Sequence, residues 1–72
     1  MQTSEIYGEF IKLNQWLKKE NIAATGGEAK FFIEEGRIQV NGQTVSELRK
    51  KLYDGDIVTI DRQDRYEIRV LS

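Results

Sequence analysis

Residues 25–41, TGGEAKFFIEEGRIQVN, together with Gly42, constrain the fold of this chain more than any other part of its sequence. Thr25 is a predicted helix N-cap, and Glu28 three residues later completes the spacing of a capping box. Three apolar side chains then fall on one helical stripe: Ala29, Phe32 and Ile33. The stretch therefore predicts an amphipathic helix that begins directly after Thr25.

The end of this helix and the strand after it are also marked in the sequence. Gly36 is placed to end the helix in a left-handed conformation. Residues 37–40 alternate polar and apolar side chains, and Asn41-Gly42 is a strong signal for a two-residue hairpin turn. Residues 43–45 are expected to return as a short strand. The sequence thus predicts a helix followed by a β-hairpin.

Gly26 and Gly27 are unusual residues for the first turn of a helix. Each costs about 1 kcal/mol relative to alanine in a helix interior. What the pair offers is a bare helix N-terminus, where a phosphate or another backbone can approach free N–H groups. We therefore treat this helix end as a candidate binding site.

The run G-x-A-K-x-x-I-x-x-G-x-I-x-V-N-G, with Gly55-Asp56 further on, resembles the alpha-L RNA-binding motif family, the small domain named after the fourth protein of the ribosomal small subunit. The resemblance spans residues 11–60. Its most specific part consists of these positions: Gly27, Ala29, Lys30, Ile33, Gly36, Val40, Asn41 and Gly42. The double glycine and the absence of other domains resemble the short stand-alone bacterial members of the YaaA and YbcJ type.

The resemblance implies one RNA-binding domain over residues 1–72, and ribosomal RNA as the expected partner, with ribosomal proteins as further partners. Many family members carry Ser-Arg where this chain has Gly26-Gly27. That arginine is a common RNA contact in the family. Its absence makes Lys30 the better candidate here.

The remaining periodicity predicts a small α+β fold. Leu13, Trp16 and Leu17 indicate a first helix over residues 13–20, and residues 3–12 read as an extended segment that pairs with the C-terminus. Residues 46–51 are expected to be an irregular crossover, and residues 57–60 and 65–71 to be strands. The predicted fold is two short packed helices followed by a mostly antiparallel sheet of three to five strands.

Composition argues against several classes of function. The 72 residues contain no cysteine and no histidine. A thiolate nucleophile, a thiolate metal site, the usual neutral-pH acid–base group and the commonest metal ligand are therefore absent. We therefore expect no enzyme activity, no cofactor and no small-molecule substrate. The sequence has no membrane-length apolar run and no N-terminal signal pattern, so a cytoplasmic protein is expected.

The formal net charge of −1 argues mildly against nucleic acid, because proteins that bind it tend to be basic. The charges are unevenly distributed, however. Residues 12–51 hold eight basic and five acidic side chains, whereas residues 54–69 hold five acidic and three basic ones. A polarised surface is expected, with its basic part on the helices.

The candidate RNA-binding residues are the basic side chains of this part, the glycine pair and one aromatic residue: Lys12, Lys18, Lys19, Gly26, Gly27, Lys30, Phe31, Arg37, Lys50 and Lys51. Lys12, Gln15 and Lys19 would share one face of the first helix if Lys12 lies close enough to its start. The alternative for every lysine is an ordinary solvated side chain.

Aromatic residues are the second kind of candidate, because RNA-binding proteins often stack unpaired bases on Phe or Tyr. Phe31 lies off the apolar stripe of its helix by about 100° and is either a core residue or a stacking residue. Tyr53, next to the predicted turn at residues 54–56, is open to both interpretations. Trp16, Phe32 and Tyr66 are expected to pack in the core.

A protein-interaction adaptor that uses the sheet, without direct RNA contact, is the alternative function. The segments VNGQTV and DGDIVTI also resemble small ubiquitin-like sulfur carriers. Those proteins activate a C-terminal Gly-Gly, and this sequence ends in Val70-Leu71-Ser72. Carrier chemistry is therefore not expected, whereas a docking role for the sheet stays open.

Overall fold

The structure is a computed structural model that describes residues 1–71, and it confirms the predicted α+β class. Two helices lie among seven strands in the described residues, in this order: β1 (Gln2–Tyr7), β2 (Ile11–Lys12), α1 (Leu13–Lys19), α2 (Gly26–Glu34), β3 (Ile38–Val40), β4 (Gln43–Thr44), β5 (Lys51–Leu52), β6 (Ile57–Ile60) and β7 (Asp64–Leu71). Neither helix is long and apolar enough to cross a bilayer.

Five strands form one mostly antiparallel sheet in the order β1-β7-β6-β3-β4. The exception is β1, which pairs in parallel with β7, Ser4 lying opposite Ile68. This pairing confirms that the N-terminal segment is extended and joins the C-terminus. The predicted order of two helices followed by the strands is therefore incomplete, because β1 of the five-stranded sheet precedes both helices.

The predicted irregular crossover over residues 46–51 is wrong at its end. Lys51 and Leu52 form β5, which pairs antiparallel with β2, so that Lys51 lies opposite Lys12. Lys12 is consequently an extended N-cap residue of α1, with a φ of −76° and a ψ of 144°, and not a member of its helical face. Strands of two residues carry no periodicity, which explains why the sequence did not reveal this pair.

Both helices are followed by a residue in the left-handed conformation, as predicted for Gly36. In α2, Gly36 has a φ of 67°, and Arg37 N–H donates to the Phe32 carbonyl in the pattern of a Schellman motif. In α1, Asn21 takes the same left-handed role with a φ of 60°. The Asn41-Gly42 turn is confirmed as well, because both residues have positive φ as a type I′ hairpin requires.

The core lies between the helices and one face of the sheet. Leu13, Trp16 and Leu17 of α1 are fully buried, and Ala29 and Ile33 anchor α2. The sheet contributes the side chains that alternate inward along its strands: Ile6, Ile38, Val40, Val58, Ile60 and Ile68. The opposite face of the sheet is not covered by either helix.

A polar network inside this core joins β1 to α1. The buried Trp16 indole N–H donates to Ser4 Oγ at 2.9 Å, and the Ser4 hydroxyl donates to Glu20 Oε2 at 2.7 Å. Lys19 Nζ donates to the same carboxylate oxygen at 3.1 Å. Tyr66 of β7 meets the Trp16 ring edge-on, with 5.1 Å between ring centroids. The network therefore fixes α1 against the parallel pair β1–β7.

We expect Ser4→Ala to lower the free energy of unfolding by about 1–3 kcal/mol, because the buried Trp16 N–H loses its acceptor. Urea unfolding followed by Trp16 fluorescence measures this change. Thr3→Ala is the matched control, since Thr3 is exposed on the opposite face of β1. Equal effects of the two substitutions would show that the hydrogen bond to Trp16 contributes nothing specific.

The same network predicts a pH dependence of stability. Burial raises the pKa of the Glu20 carboxyl, but hydrogen bonds from Ser4 and Lys19 and the Lys19 charge outweigh burial, so the folded pKa lies below its ordinary value of 4.5. A lowered folded pKa stabilises the protein above the unfolded pKa, and this stabilisation disappears as the pH falls through the folded value.

The stability advantage of the native protein over Glu20→Gln should therefore shrink as the pH falls from about 6 to about 3. Glu20→Gln is informative because its amide oxygen still accepts the Ser4 hydroxyl while the charge is lost. Urea unfolding of both proteins across this range is the measurement. A difference that does not vary with pH would contradict the assigned charge interaction.

Candidate nucleic-acid interface

The N-terminus of α2 is capped by one side chain and otherwise open. Thr25 Oγ1 accepts the Glu28 N–H at 3.1 Å, and the Thr25 carbonyl accepts the Ala29 N–H at 3.1 Å. Within residues 1–71 the N–H groups of Gly26 and Gly27 have no such partner, as expected for the first two residues of a helix. The helix therefore presents two free backbone donors to solvent.

No packing constraint within the described chain requires glycine at these two positions. A Cβ at Gly26 would meet nothing within 4 Å, and one at Gly27 would lie 3.8 Å from Thr25 Oγ1, which is ordinary contact. Both residues are helical, unlike Gly36 and Gly42, whose positive φ explains glycine there. The pair leaves the helix end uncovered, so that another molecule can come close to its backbone.

Lys30 lies on the same side of α2 as the glycine pair. It follows Gly26 by four residues and Gly27 by three, and helical side chains lean towards the N-terminus. Its side chain is exposed, and within residues 1–71 no carboxylate oxygen lies within 4.0 Å of its ammonium group. The predicted combination of a free ammonium and an open helix end is therefore geometrically available.

Phe31 follows Lys30 and is not a core residue. Its side chain is 52% exposed, whereas Phe32, the next residue, is half-buried against the core. Of the two interpretations of Phe31, the core residue is therefore wrong. A stacking role for Phe31 stays a prediction, and the residue is positioned for it beside Lys30.

The outer face of α1 carries Gln15, Lys18 and Lys19, all exposed. Lys19 forms an ion pair with Glu20 at 3.1 Å, whereas Lys18 has no carboxylate partner within 4.0 Å in the described chain. Only residues 20–25 separate this end of α1 from the start of α2. Lys18 is therefore the better placed of the two lysines to act together with the α2 site.

The other predicted lysines belong to the opposite end of α1. Lys12 is half-buried in β2, and the Lys50 carbonyl accepts the Leu13 N–H at 2.7 Å. The Lys51 ammonium lies 4.7 Å from the centroid of the Phe10 ring. These three lysines form a second basic group at the start of α1, away from the α2 N-terminus.

Arg37 is held against the protein surface by two interactions. Its guanidinium donates to both carboxylate oxygens of Asp61, at 2.6 and 2.8 Å, and lies 4.2 Å from the centroid of the Phe32 ring. The hydrogen bonds from Arg37 and its charge hold the pKa of Asp61 below the usual range. The structure thus gives Arg37 a role in joining β3 to the β6–β7 turn and does not place it beside Gly26 and Gly27.

Phe10 is a residue that the sequence did not single out. Its ring lies 5.8 Å from the ring of Tyr53, measured between centroids, with a tilt of 52°. The two residues come together because β2 pairs with β5, a contact that neither residue's local sequence signals. The neighbouring lysines Lys12 and Lys51 give this aromatic pair a basic setting.

Comparison with known proteins places these features in a family. A family model described as the S4 domain matches residues 4–69, which include the whole run from Gly26 to Gly42. A relative described as the probable ribosome maturation protein RlbA of Bacillus subtilis (strain 168) is 35% identical over 60 residues, which are 83% of this chain and 84% of the relative. The chain belongs to the S4 domain family, in agreement with the resemblance of its sequence to the alpha-L motif.

Proposed function

We propose that the protein is a non-catalytic RNA-binding module that holds structured RNA, such as ribosomal RNA, through its phosphates. The observation that carries the proposal is the open N-terminus of α2, where two glycine N–H groups and the Lys30 ammonium on the same side have no partner within residues 1–71. Membership of the S4 domain family supports it, since the alpha-L motif of that family is named for RNA binding.

The α2 site suits a phosphate group for two electrostatic reasons. Free N–H groups and the aligned peptide dipoles give a helix N-terminus roughly half a positive charge. The Lys30 ammonium adds a full charge that no carboxylate of residues 1–71 pairs within 4.0 Å. Glu28 in the first turn opposes binding in part, and its backbone N–H is already taken by Thr25.

Lys18 on α1 extends the positive surface beyond the α2 site. Backbone donors and lysines contact phosphates without reading base identity, so this surface selects RNA by shape and charge more than by sequence. Phe31, exposed next to Lys30, adds a ring on which an unpaired base can stack. Arg37 is a weaker contact in this proposal, because Asp61 already neutralises it.

A role in ribosome maturation is the biological setting that we propose, and with it a cytoplasmic location. The support is the relative from Bacillus subtilis, whose name describes a probable ribosome maturation protein and of which 84% is matched. In this setting ribosomal RNA is the partner, and ribosomal proteins would contact the sheet.

The alternative of a protein-interaction adaptor has one observation in its favour. The outer face of the five-stranded sheet is uncovered, and Tyr7 at its edge is 80% exposed. A pull-down performed with and without nuclease separates the two functions. Partners that disappear after nuclease treatment were bridged by RNA, whereas partners that persist indicate direct docking on protein.

We expect Lys30→Glu to weaken RNA binding at least ten-fold without unfolding the protein. The native protein should show a plot of log affinity against log salt with a slope of about −2 to −5, which corresponds to roughly three to five phosphates engaged. Lys30→Glu should make this slope shallower by about one. Fluorescence anisotropy with a labelled ribosomal RNA fragment at several salt concentrations measures both quantities.

Arg65→Glu is the matched control, since it makes the same change of charge on the outer face of the sheet. Arg65 precedes the inward-facing Tyr66 in β7, so its exposed side chain points away from the helices. Its effect on affinity should stay within about three-fold. Equal losses for the two variants would mean that net charge alone matters, and a salt-independent affinity would exclude phosphate binding.

Replacement of both glycines, Gly26→Ala with Gly27→Ala, should change stability and binding in opposite directions. The free energy of unfolding should rise by up to about 1–2 kcal/mol, because alanine favours the helix and neither methyl group meets a close contact. RNA affinity should fall several-fold, because the methyl groups keep a phosphate from the N–H groups.

Urea unfolding and anisotropy on the same preparation test this pair of changes. A stabler protein with unchanged affinity would show that the α2 N-terminus is not a contact. Ala24→Gly, outside the helix and exposed, is the control for a change of chain flexibility near the site.

A further inference from the structure

A second group of side chains at the start of α1 has a composition that the proposed phosphate site does not explain. Phe10 and Tyr53 form a tilted aromatic pair with 5.8 Å between ring centroids, and the Lys51 ammonium lies 4.7 Å from the Phe10 ring. Lys12 is opposite Lys51 across the β2–β5 pair. We call these four residues the aromatic platform.

Tyr53 is exposed and yet firmly held. Its side chain is 50% exposed. Its N–H donates to Asp56 Oδ2 at 2.8 Å, and its carbonyl accepts the Asp56 N–H at 3.0 Å. The backbone at Tyr53 is therefore fixed before any ligand arrives, so that stacking on its ring needs little further ordering of the chain.

The charges around the platform favour an anion. Lys12, Lys50 and Lys51 lie on its two strands or next to them. The nearby carboxylates of Asp54 and Asp56 accept backbone N–H groups, from Val70 at 2.8 Å and from Tyr53 as described. These bonds engage the Asp54 carboxylate with β7 and the Asp56 carboxylate with the turn, and Glu9 is the remaining acidic residue of the segments 9–12 and 50–56.

We propose that the aromatic platform binds an unpaired nucleobase of the RNA held at α2, with Tyr53 as the stacking surface and Lys51 and Lys12 next to the flanking phosphates. The proposal rests on the proposed RNA-binding function and names the part of the RNA that this second surface takes. An unpaired nucleotide offers both a π-face and an adjacent phosphate, which matches rings and ammonium groups together. An acidic peptide would contact only the lysines, and the half-exposed Tyr53 ring would make no contact with the ligand.

The position of the platform suits a continuous RNA ligand. Helix α1 begins beside the platform and carries Lys18 in its last turn, and only residues 20–25 separate its end from α2. At about 1.5 Å of rise per residue, α1 spans about 10 Å. One RNA can therefore place a paired segment at the α2 site and an unpaired loop or end on Tyr53. The expected ligand is a junction of duplex and single strand.

The test compares two RNA probes, a blunt duplex and the same duplex with a single-stranded extension of four nucleotides. The native protein should bind the extended probe at least about five-fold more tightly, since stacking contributes this much or more per base. Tyr53→Ala should remove this preference and leave duplex affinity unchanged. Tyr53→Phe should keep it, because the ring and not the hydroxyl makes the contact.

Tyr7→Ala is the matched control, because Tyr7 is also exposed but lies on the edge strand β1. It should keep the preference for the extended probe. Tyr53→Trp gives an independent readout, since Trp16 is fully buried and its emission should not respond to a stacked base. Fluorescence of this variant should be quenched by the extended probe and not by the blunt duplex.

The outcomes separate the two proposals. If the native protein binds neither probe, the RNA-binding function itself fails. If it binds both probes equally and Tyr53→Ala changes neither affinity, the proposal of base stacking on the platform is wrong, whereas the proposal of phosphate binding at α2 is unaffected. A loss of duplex affinity in Tyr53→Ala equal to the loss for the extended probe would also overturn it, as would displacement of the extension by a poly-glutamate peptide.

Discussion

Burial of Trp16 with its N–H satisfied is the interaction on which the rest of this structure depends. The indole is inaccessible, donates to Ser4 of β1 and meets Tyr66 of β7 edge-on. A buried indole without an acceptor would be costly, so the position of α1 on the sheet is defined by a hydrogen bond as well as by packing. With this face fixed inward, Lys18 and Lys19 can only point outward.

The orientation of α1 in turn determines where the N-terminus of α2 lies. Asn21 reverses the chain with a positive φ, and Thr25 starts the next helix four residues later. The resulting helix end carries two glycines that lower helix propensity and fill no tight space. A local loss of stability without an internal structural reason agrees with the proposal that this helix end contacts another molecule.

The fold was largely predictable from the sequence because its strongest signals are local. The Thr25 cap, the Gly36 stop and the Asn41-Gly42 turn each depend on residues within one turn of chain, and the structure confirms all three. The β2–β5 pair was missed since two-residue strands have no period. The contacts of Arg37 with Asp61, 24 residues away, and of Phe10 with Tyr53 could not be read from spacing. Candidate site residues could therefore be chosen by residue type, whereas their contacts within the fold could not be predicted.

The net charge of −1 does not describe the local charge around Lys18 and Lys30 on the helices. The molecule extends over 33 × 22 × 18 Å, whereas charges are screened over about 8 Å at physiological salt. Asp61 is neutralised by Arg37, and Asp54 and Asp56 accept backbone N–H groups at the turn beside β7. These three acidic residues thus help to hold the sheet and its turns together, while Lys18 and Lys30 stay unpaired in the described chain. Because the carboxylates of Asp54, Asp56 and Asp61 are used within the sheet and its turns, and no carboxylate of residues 1–71 pairs with Lys18 or Lys30, a slightly acidic protein can present two free ammonium groups to a phosphate backbone.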